Sequence, residues 1–179
     1  DEELEGLVSR ERDIVEALND IAVDDDVNDN LFLQFQPIID LTTGSVFGFE
    51  ALARLRTEKH GVVPPLEFIP LAEKTKLIIP IGEKIIIKSF NFLKKLKEKG
   101  YDDISVSINI SIIQLLRPDF TSRLFELMNK MEISQKNIGI EITESIFASD
   151  YDSINSIIEE LRKADLYVAI DDFGTGYSS

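Results

Sequence analysis

The sequence predicts an α/β fold: a TIM-like (β/α) barrel with an antiparallel first strand, incomplete, with about five of eight strands present. Three observations predict it. Four apolar, β-like runs each end on an acid or amide: GFEAL at Glu50, VSIN at Asn109, IGIEIT at Glu141 and VAIDD at Asp171 and Asp172. Asn109 to Glu141 and Glu141 to Asp171 are each about 30 residues apart, the length of one β-α-β unit. The first two strands are joined only by LTTG, too short for a parallel crossover, so they must pair antiparallel.

Taken in order, DEELEGLVSRERDIVEALNDIAV places Leu4, Leu7, Ile14, Leu18 and Ile21 at helical spacing and then gives way to DDDVNDN. Residues 1–30 therefore read as a helix and an acidic linker ahead of a domain spanning 31–179. The apolar seam has heptad character, interrupted by Glu11. Three heptads are marginal for a coiled coil, so packing on the chain's own domain is the preferred reading. LFLQFQPIID and SVFGFEALARL alternate like strands. Helices then follow at roughly 66 to 75 and 80 to 99, around 119 to 131 and around 150 to 164, alternating with strands at about 104 to 109, 137 to 142 and 166 to 171. The stretch from Glu50 to Asn109 is longer than the later units because two helices fill it. SVSIN, IGIEI and YVAID are nearly continuous in apolar residues, as expected of strands covered on both faces. Ser179 follows directly on a strand and its loop, FGTGYSS, so the chain reads as a piece of a larger domain with an open sheet edge.

Composition excludes several kinds of chemistry. With 179 residues, 44% hydrophobic and 29% charged, the chain can pack a core and keep a soluble surface. A net charge of −14 argues against a nucleic-acid backbone as partner, which needs clustered Lys and Arg. Without cysteine there is no disulfide, no thiolate zinc site and no thiol catalysis, and one histidine makes a Ser-His-Asp mechanism improbable. The apolar runs LIIPIG and KIIIKSF are broken by Pro80, Gly82, Glu83 and Lys84, so nothing reads as a membrane span or signal peptide. The expected compartment is the cytoplasm, with tethering through another domain left open.

In parallel βα repeats, ligands gather at the C-terminal ends of the strands. Glu50, Asn109, Glu141, Asp171 and Asp172 would converge there as a hard-oxygen set suited to Mg²⁺ or Mn²⁺. Four carboxylates so close would repel unless two divalent ions bridged them, and a two-metal centre is the usual apparatus for phosphate-ester hydrolysis.

These residues also carry a resemblance. FQPIIDLTTGSVFGFEALARL, PLEFIPLAEKTKLIIPIG, SVSINIS, EITES and DDFGTGYSS resemble, in order and spacing, the EAL domain family of cyclic-di-GMP phosphodiesterases, from about Phe32 to Ser179. The resemblance implies a barrel with an antiparallel first strand and hydrolysis of one phosphodiester bond to give linear pGpG. By motif it implies that Glu50, Asn109, Glu141 and Asp171 hold one metal, with Asp171 shared with a second that Asp172 also binds, so that Glu50, Asp171 and Asp172 are catalytic. It implies that Arg54 contacts a substrate phosphate, that Gln36 and Leu52 line the nucleotide pocket, and that Glu144 orders the loop beginning at DDFGTG. In that loop Gly174 and Gly176 would supply conformational freedom. It implies a homodimer, with an upstream sensory or GGDEF-type domain in the parent protein. The family's catalytic lysine and a later glutamate and glutamine would lie beyond Ser179, so the 179 residues alone are expected to be inactive. The alternative is a non-catalytic cyclic-di-GMP receptor. Two positions depart from the pattern: Lys76 where a glycine is usual, and Ile112 where proline commonly follows NIS.

Plainer roles stand beside these. Asn109 could cap the helix after its strand, Asp171 and Asp172 could form a turn or cap, and Arg54 could make a surface salt bridge. His60, in EKHG, reads as solvated, and KKLKEKG as a basic last helical turn favourable to the helix dipole.

Overall fold

The structure, a computed structural model, describes residues 1–24, 29–143 and 150–171. Its elements are α1 (Glu2–Val23), β1 (Leu31–Ile39), β2 (Val46–Thr57), β3 (Gly61–Val63), α2 (Pro65–Lys74), α3 (Ile78–Glu98), β4 (Ser105–Ile110), α4 (Ile112–Leu115), α5 (Phe120–Lys130), β5 (Ile138–Thr143), α6 (Tyr151–Lys163) and β6 (Tyr167–Asp171). The described strands form one open six-stranded sheet in the order β1-β2-β4-β5-β6, with β3 paired to β2. β1 and β2 are antiparallel, whereas β2, β4, β5 and β6 run parallel. The antiparallel opening and the parallel repeats are as the turn length and spacings predict.

Two short elements escape the sequence pattern. β3 has three residues and α4 has four, both below the length at which periodicity can be recognised. Among the parallel strands, β5 is buried almost throughout as expected, whereas β4 alternates. In β4, Val106, Ile108 and Ile110 are fully buried, while Ser105, Ser107 and Asn109 alternate with them and are partly exposed. One face of the parallel sheet therefore packs on helices, and the other carries small and polar side chains. Gly48 belongs to that second face: a Cβ there would lie 2.9 Å from the Ser105 backbone oxygen, so only glycine allows this approach.

α3 is the central covering helix, burying Ile78, Ile81, Ile85, Ile86, Phe90 and Leu93. Its Phe92 stacks on Phe35 of β1 at 3.7 Å and meets Phe49 of β2 edge-on at 5.3 Å, tying the antiparallel pair to the helix layer. Each such ring pair is worth about 1 kcal/mol beyond its buried area.

The first helix packs on the chain's own core. Ile14, Leu18 and Ile21 are buried, whereas Leu4 and Leu7 are 61% and 57% exposed, so only the C-terminal half of the seam is used. Polar contacts fix the same helix: Arg10 donates to both carboxylate oxygens of Glu67 on α2, and Asp13 lies 3.0 Å from His60 and 3.3 Å from Lys59. The reading of His60 as solvated is corrected here. The α1 helix packs over the loop before β3, so the imidazole is only 21% exposed and bonded to Asp13. The pull of Arg10 holds the Glu67 carboxyl below the ordinary glutamate range, and the bond from His60 does the same for Asp13.

Candidate functional site at the C-terminal edge of the parallel sheet

β2 delivers Glu50, Leu52 and Arg54, β4 delivers Asn109, and β5 delivers Glu141. Register decides how these meet. Glu50 lies opposite Ser107, two residues before Asn109 on the same face of β4, and Asn109 lies directly opposite Glu141. Adjacent strands are about 4.8 Å apart, so Glu50, Asn109 and Glu141 form a stair of oxygen-bearing side chains across three strands. Glu141 pairs with Ala169, and Asp171 is the last residue of β6, two positions further along that strand. Asp172, Glu144, Gly174 and Gly176 lie outside the described residues.

The centre of the stair is the Glu50 and Asn109 pair. Asn109 Nδ2 donates to Glu50 Oε1 at 3.3 Å, which turns Asn109 Oδ1 away from the carboxylate. That oxygen is buried and has no hydrogen-bond partner among the described residues. A buried acceptor left unpaired costs about 1–3 kcal/mol, which makes this one exceptional. Its chemistry, a hard carbonyl oxygen beside a carboxylate, is that of a divalent-cation ligand. Among the described residues no three His, Cys, Asp or Glu side chains gather closely enough to hold a metal; the described donor set is two acids and an amide. Asn109 does not cap the next helix. Ser111 does so, accepting from the Ile113 amide while Gln114 returns to the Ser111 amide.

Beside the pair, Leu52, Arg54, Asn109 and Gln114 line a cleft whose other wall is Pro65, Ile69, Ile78 and Ile85 of α2 and α3. Arg54 reaches across to β1, where its Nε donates to Gln34 Oε1 at 2.9 Å, and it also donates to the Ala53 carbonyl at 3.1 Å. These contacts tie the guanidinium to β1 and to its own strand. Gln36 is exposed and pairs in register with Glu50, so the two glutamines of LFLQFQP share one face with Glu50 and Arg54. Gln34 was not singled out from the sequence, although its two-residue spacing from Gln36 puts it on that face.

Glu73, Ser111 and Gln114 were missed as well. The S-x-x-Q spacing of a capping box was the available signal for the last two. Glu73 Oε2 accepts from the Ser111 hydroxyl at 2.9 Å. Burial raises the Glu73 carboxyl above the ordinary range, and the Ser111 bond offsets only part of that.

The EAL domain family matches residues 20–179. The bifunctional diguanylate cyclase/cyclic di-GMP phosphodiesterase MucR of Pseudomonas aeruginosa is 33% identical over 149 residues, 83% of this chain and 22% of that protein. The probable cyclic di-GMP phosphodiesterase PdeI of Escherichia coli is 34% identical over 151 residues, 83% of this chain and 19% of its own length. Among solved structures, a PaMucR phosphodiesterase complex with c-di-GMP superposes with a TM-score of 0.78 at 31% identity, covering 94% of this chain and 65% of that one. The chain thus spans about a fifth of the length of these curated relatives. Family match, relatives and superposition agree with the motifs and the strand-end geometry: this chain belongs to the EAL domain family.

Proposed function

We propose that this chain is part of a metal-dependent phosphodiesterase domain that hydrolyses cyclic-di-GMP to linear pGpG. The observation that carries the reading is the buried Asn109 Oδ1, unpartnered among the described residues and held beside Glu50. The names of MucR and PdeI, and the c-di-GMP complex of PaMucR, support the substrate class.

In this reading Glu50, Asn109, Glu141 and Asp171 hold one Mg²⁺ or Mn²⁺, and Asp171 and Asp172 a second. When bound, the ions would lower the pKa of the attacking water and neutralise charge on the leaving oxygen. The chain's own residues do the rest. Arg54, tied to β1 by Gln34, pairs with a non-bridging phosphate oxygen, and Leu52 and Gln36 border the nucleotide. Water adds to one phosphorus, the bond from that phosphorus to a ribose oxygen breaks, and the released oxygen takes up a proton. The site sits on a sheet that closes into a barrel in the whole domain. The whole protein is a cytoplasmic-facing homodimer with an upstream sensory or GGDEF-type domain. Among the described residues no helix is long and apolar enough to cross a membrane.

The test is hydrolysis of cyclic-di-GMP by the full-length protein with Mg²⁺ or Mn²⁺, with pGpG resolved by chromatography. Metal-dependent turnover that Glu50→Ala abolishes is expected. No turnover, or turnover unchanged in Glu50→Ala, contradicts the reading, and tight binding without cleavage would instead make the domain a receptor.

A further inference from the structure

Glu73 is a half-buried acid with no part in the chemistry proposed above. It lies near the C-terminal end of α2, and its carboxylate accepts the hydroxyl proton of Ser111 at 2.9 Å across 38 residues of sequence. Ser111 is two residues beyond Asn109 and is the pivot of the corner between β4 and α4. Its Oγ also accepts from the Ile113 amide at 3.3 Å, and its own amide donates to Gln114 Oε1 at 3.1 Å. Gln114 is 5% exposed and fills a slot over Gly82 of α3, where a Cβ would lie 1.8 Å from its Nε2. The corner is therefore gripped from α2 by Glu73 and from α3 by the Gly82 slot, two residues after the one whose buried oxygen has no partner among the described residues.

A surface helix start needs only its own cap. Spending a desolvated carboxylate on this one makes sense if the corner's position matters beyond helix formation, since burial of the acid is unfavourable. We propose that Glu73 is a positioning residue: through Ser111 it fixes the corner after β4 and so holds Asn109 at its place beside Glu50. The proposal rests on the reading of Asn109 as a metal ligand. It assigns to the LAEK segment of α2 the task that partners of metal ligands perform elsewhere, orienting a donor they do not replace.

Two readouts in the full-length protein test it. The first is amide hydrogen exchange over residues 109–115 without metal, in wild type, Glu73→Ala, Glu73→Gln and Ser111→Ala. The second is Mn²⁺ affinity of the same proteins by titration calorimetry. Glu73→Ala should speed exchange at the Ser111 and Ile113 amides, leave β5 unchanged, and weaken Mn²⁺ by about tenfold. Glu73→Gln keeps an acceptor for the Ser111 hydroxyl and should restore most of that affinity. Adding Ser111→Ala to Glu73→Ala should cost less Mn²⁺ affinity than the sum of the two single changes, because both remove the Glu73–Ser111 bond, while Ser111→Ala also removes the cap on the Ile113 amide. Wild-type exchange in Glu73→Ala, or wild-type affinity alongside mere thermal destabilisation, overturns the proposal. So does a Glu73→Gln variant as weak as Glu73→Ala. Should the wild type bind no Mn²⁺ and Glu50→Ala change nothing, the metal reading fails, while the exchange data still decide separately whether Glu73 clamps the corner. If Glu73→Ala does not fold, Glu73→Gln and Ser111→Ala carry the test.

Discussion

Asn109 and Ser111 are two residues apart, yet their polar surroundings are opposites. Around Ser111, hydroxyl, amide, Gln114 and the half-buried Glu73 form a network in which each named group has a partner. At Asn109 the amide nitrogen is bonded and the oxygen beside it has no partner among the described residues. A fold able to satisfy one buried polar cluster so fully had the means to satisfy its neighbour. On the proposed reading, the gap at Asn109 is kept for a metal at a cost in stability, and the corner at Ser111 is the support beside it.

The sharpest way to break this contrast is to remove the unpaired oxygen. Asn109→Leu should reduce hydrolysis of cyclic-di-GMP to background while leaving metal-free stability within about 1 kcal/mol of the wild type, because the oxygen removed is unpaired and the partly exposed Glu50 can exchange its long 3.3 Å bond from Asn109 for water. Denaturant unfolding in chelator checks the second half. A large loss of stability would mean that Asn109 is an ordinary structural amide.

The converse change belongs to the corner. Gln114→Ala strands the Ser111 amide and empties the slot over Gly82, so a loss of about 1–3 kcal/mol is expected. Gly82→Ala should cost a similar amount by pushing Gln114 out of place. Unfolding curves in which either variant matches the wild type would deny that the corner is rigid.

A smaller effect separates two acids of α2. The Glu73 carboxyl is raised chiefly by burial, so the folded chain holds its proton more tightly than the unfolded chain does. Its contribution is most favourable below the ordinary glutamate value and is lost as pH rises through the raised one. Glu67 is lowered by Arg10, so its contribution is present above the ordinary value and disappears as pH falls through the depressed one. Tm followed between about pH 3 and 7 should therefore lose its decline toward higher pH in Glu73→Gln and soften its acid limb in Glu67→Gln. The same slope in both variants would contradict these assignments.

The smallest expected change concerns the turn between α2 and α3. Lys76 has φ of 61°, a left-handed conformation that strains a residue with a Cβ. Lys76→Gly should stabilise by up to about 1 kcal/mol, within the range that glycine saves at such positions, and urea unfolding would show it.

Much of this was legible in the sequence, and what was not has definite physical reasons. Strand directions followed from spacing, because a parallel crossover needs a helix and an antiparallel one does not, so LTTG alone set the direction of β1. The departure from glycine at Lys76 and the isoleucine at Ile112 were visible as oddities. The structure gives them meaning, as a left-handed residue and as the first residue of α4, a position where proline would also fit. The pairing of Glu73 with Ser111 was invisible, since nothing local in LAEK distinguishes a buried glutamate from a solvated one. His60 was misread for the same reason: its partner Asp13 comes from a helix 47 residues earlier. The juxtaposition of Glu50, Asn109 and Glu141 could be read from the sequence because strand ends converge by topology, whereas the bond from Asn109 to Glu50, and the oxygen it leaves unpaired among the described residues, depend on register.

The most direct measurement of the central claim is a Mn²⁺ titration of the full-length protein and its Asn109→Leu variant, both without substrate. The account predicts saturable binding in the wild type that weakens at least about tenfold when the Asn109 oxygen is removed. Equal affinity in the two proteins would contradict it, because the unpaired oxygen would then hold no metal.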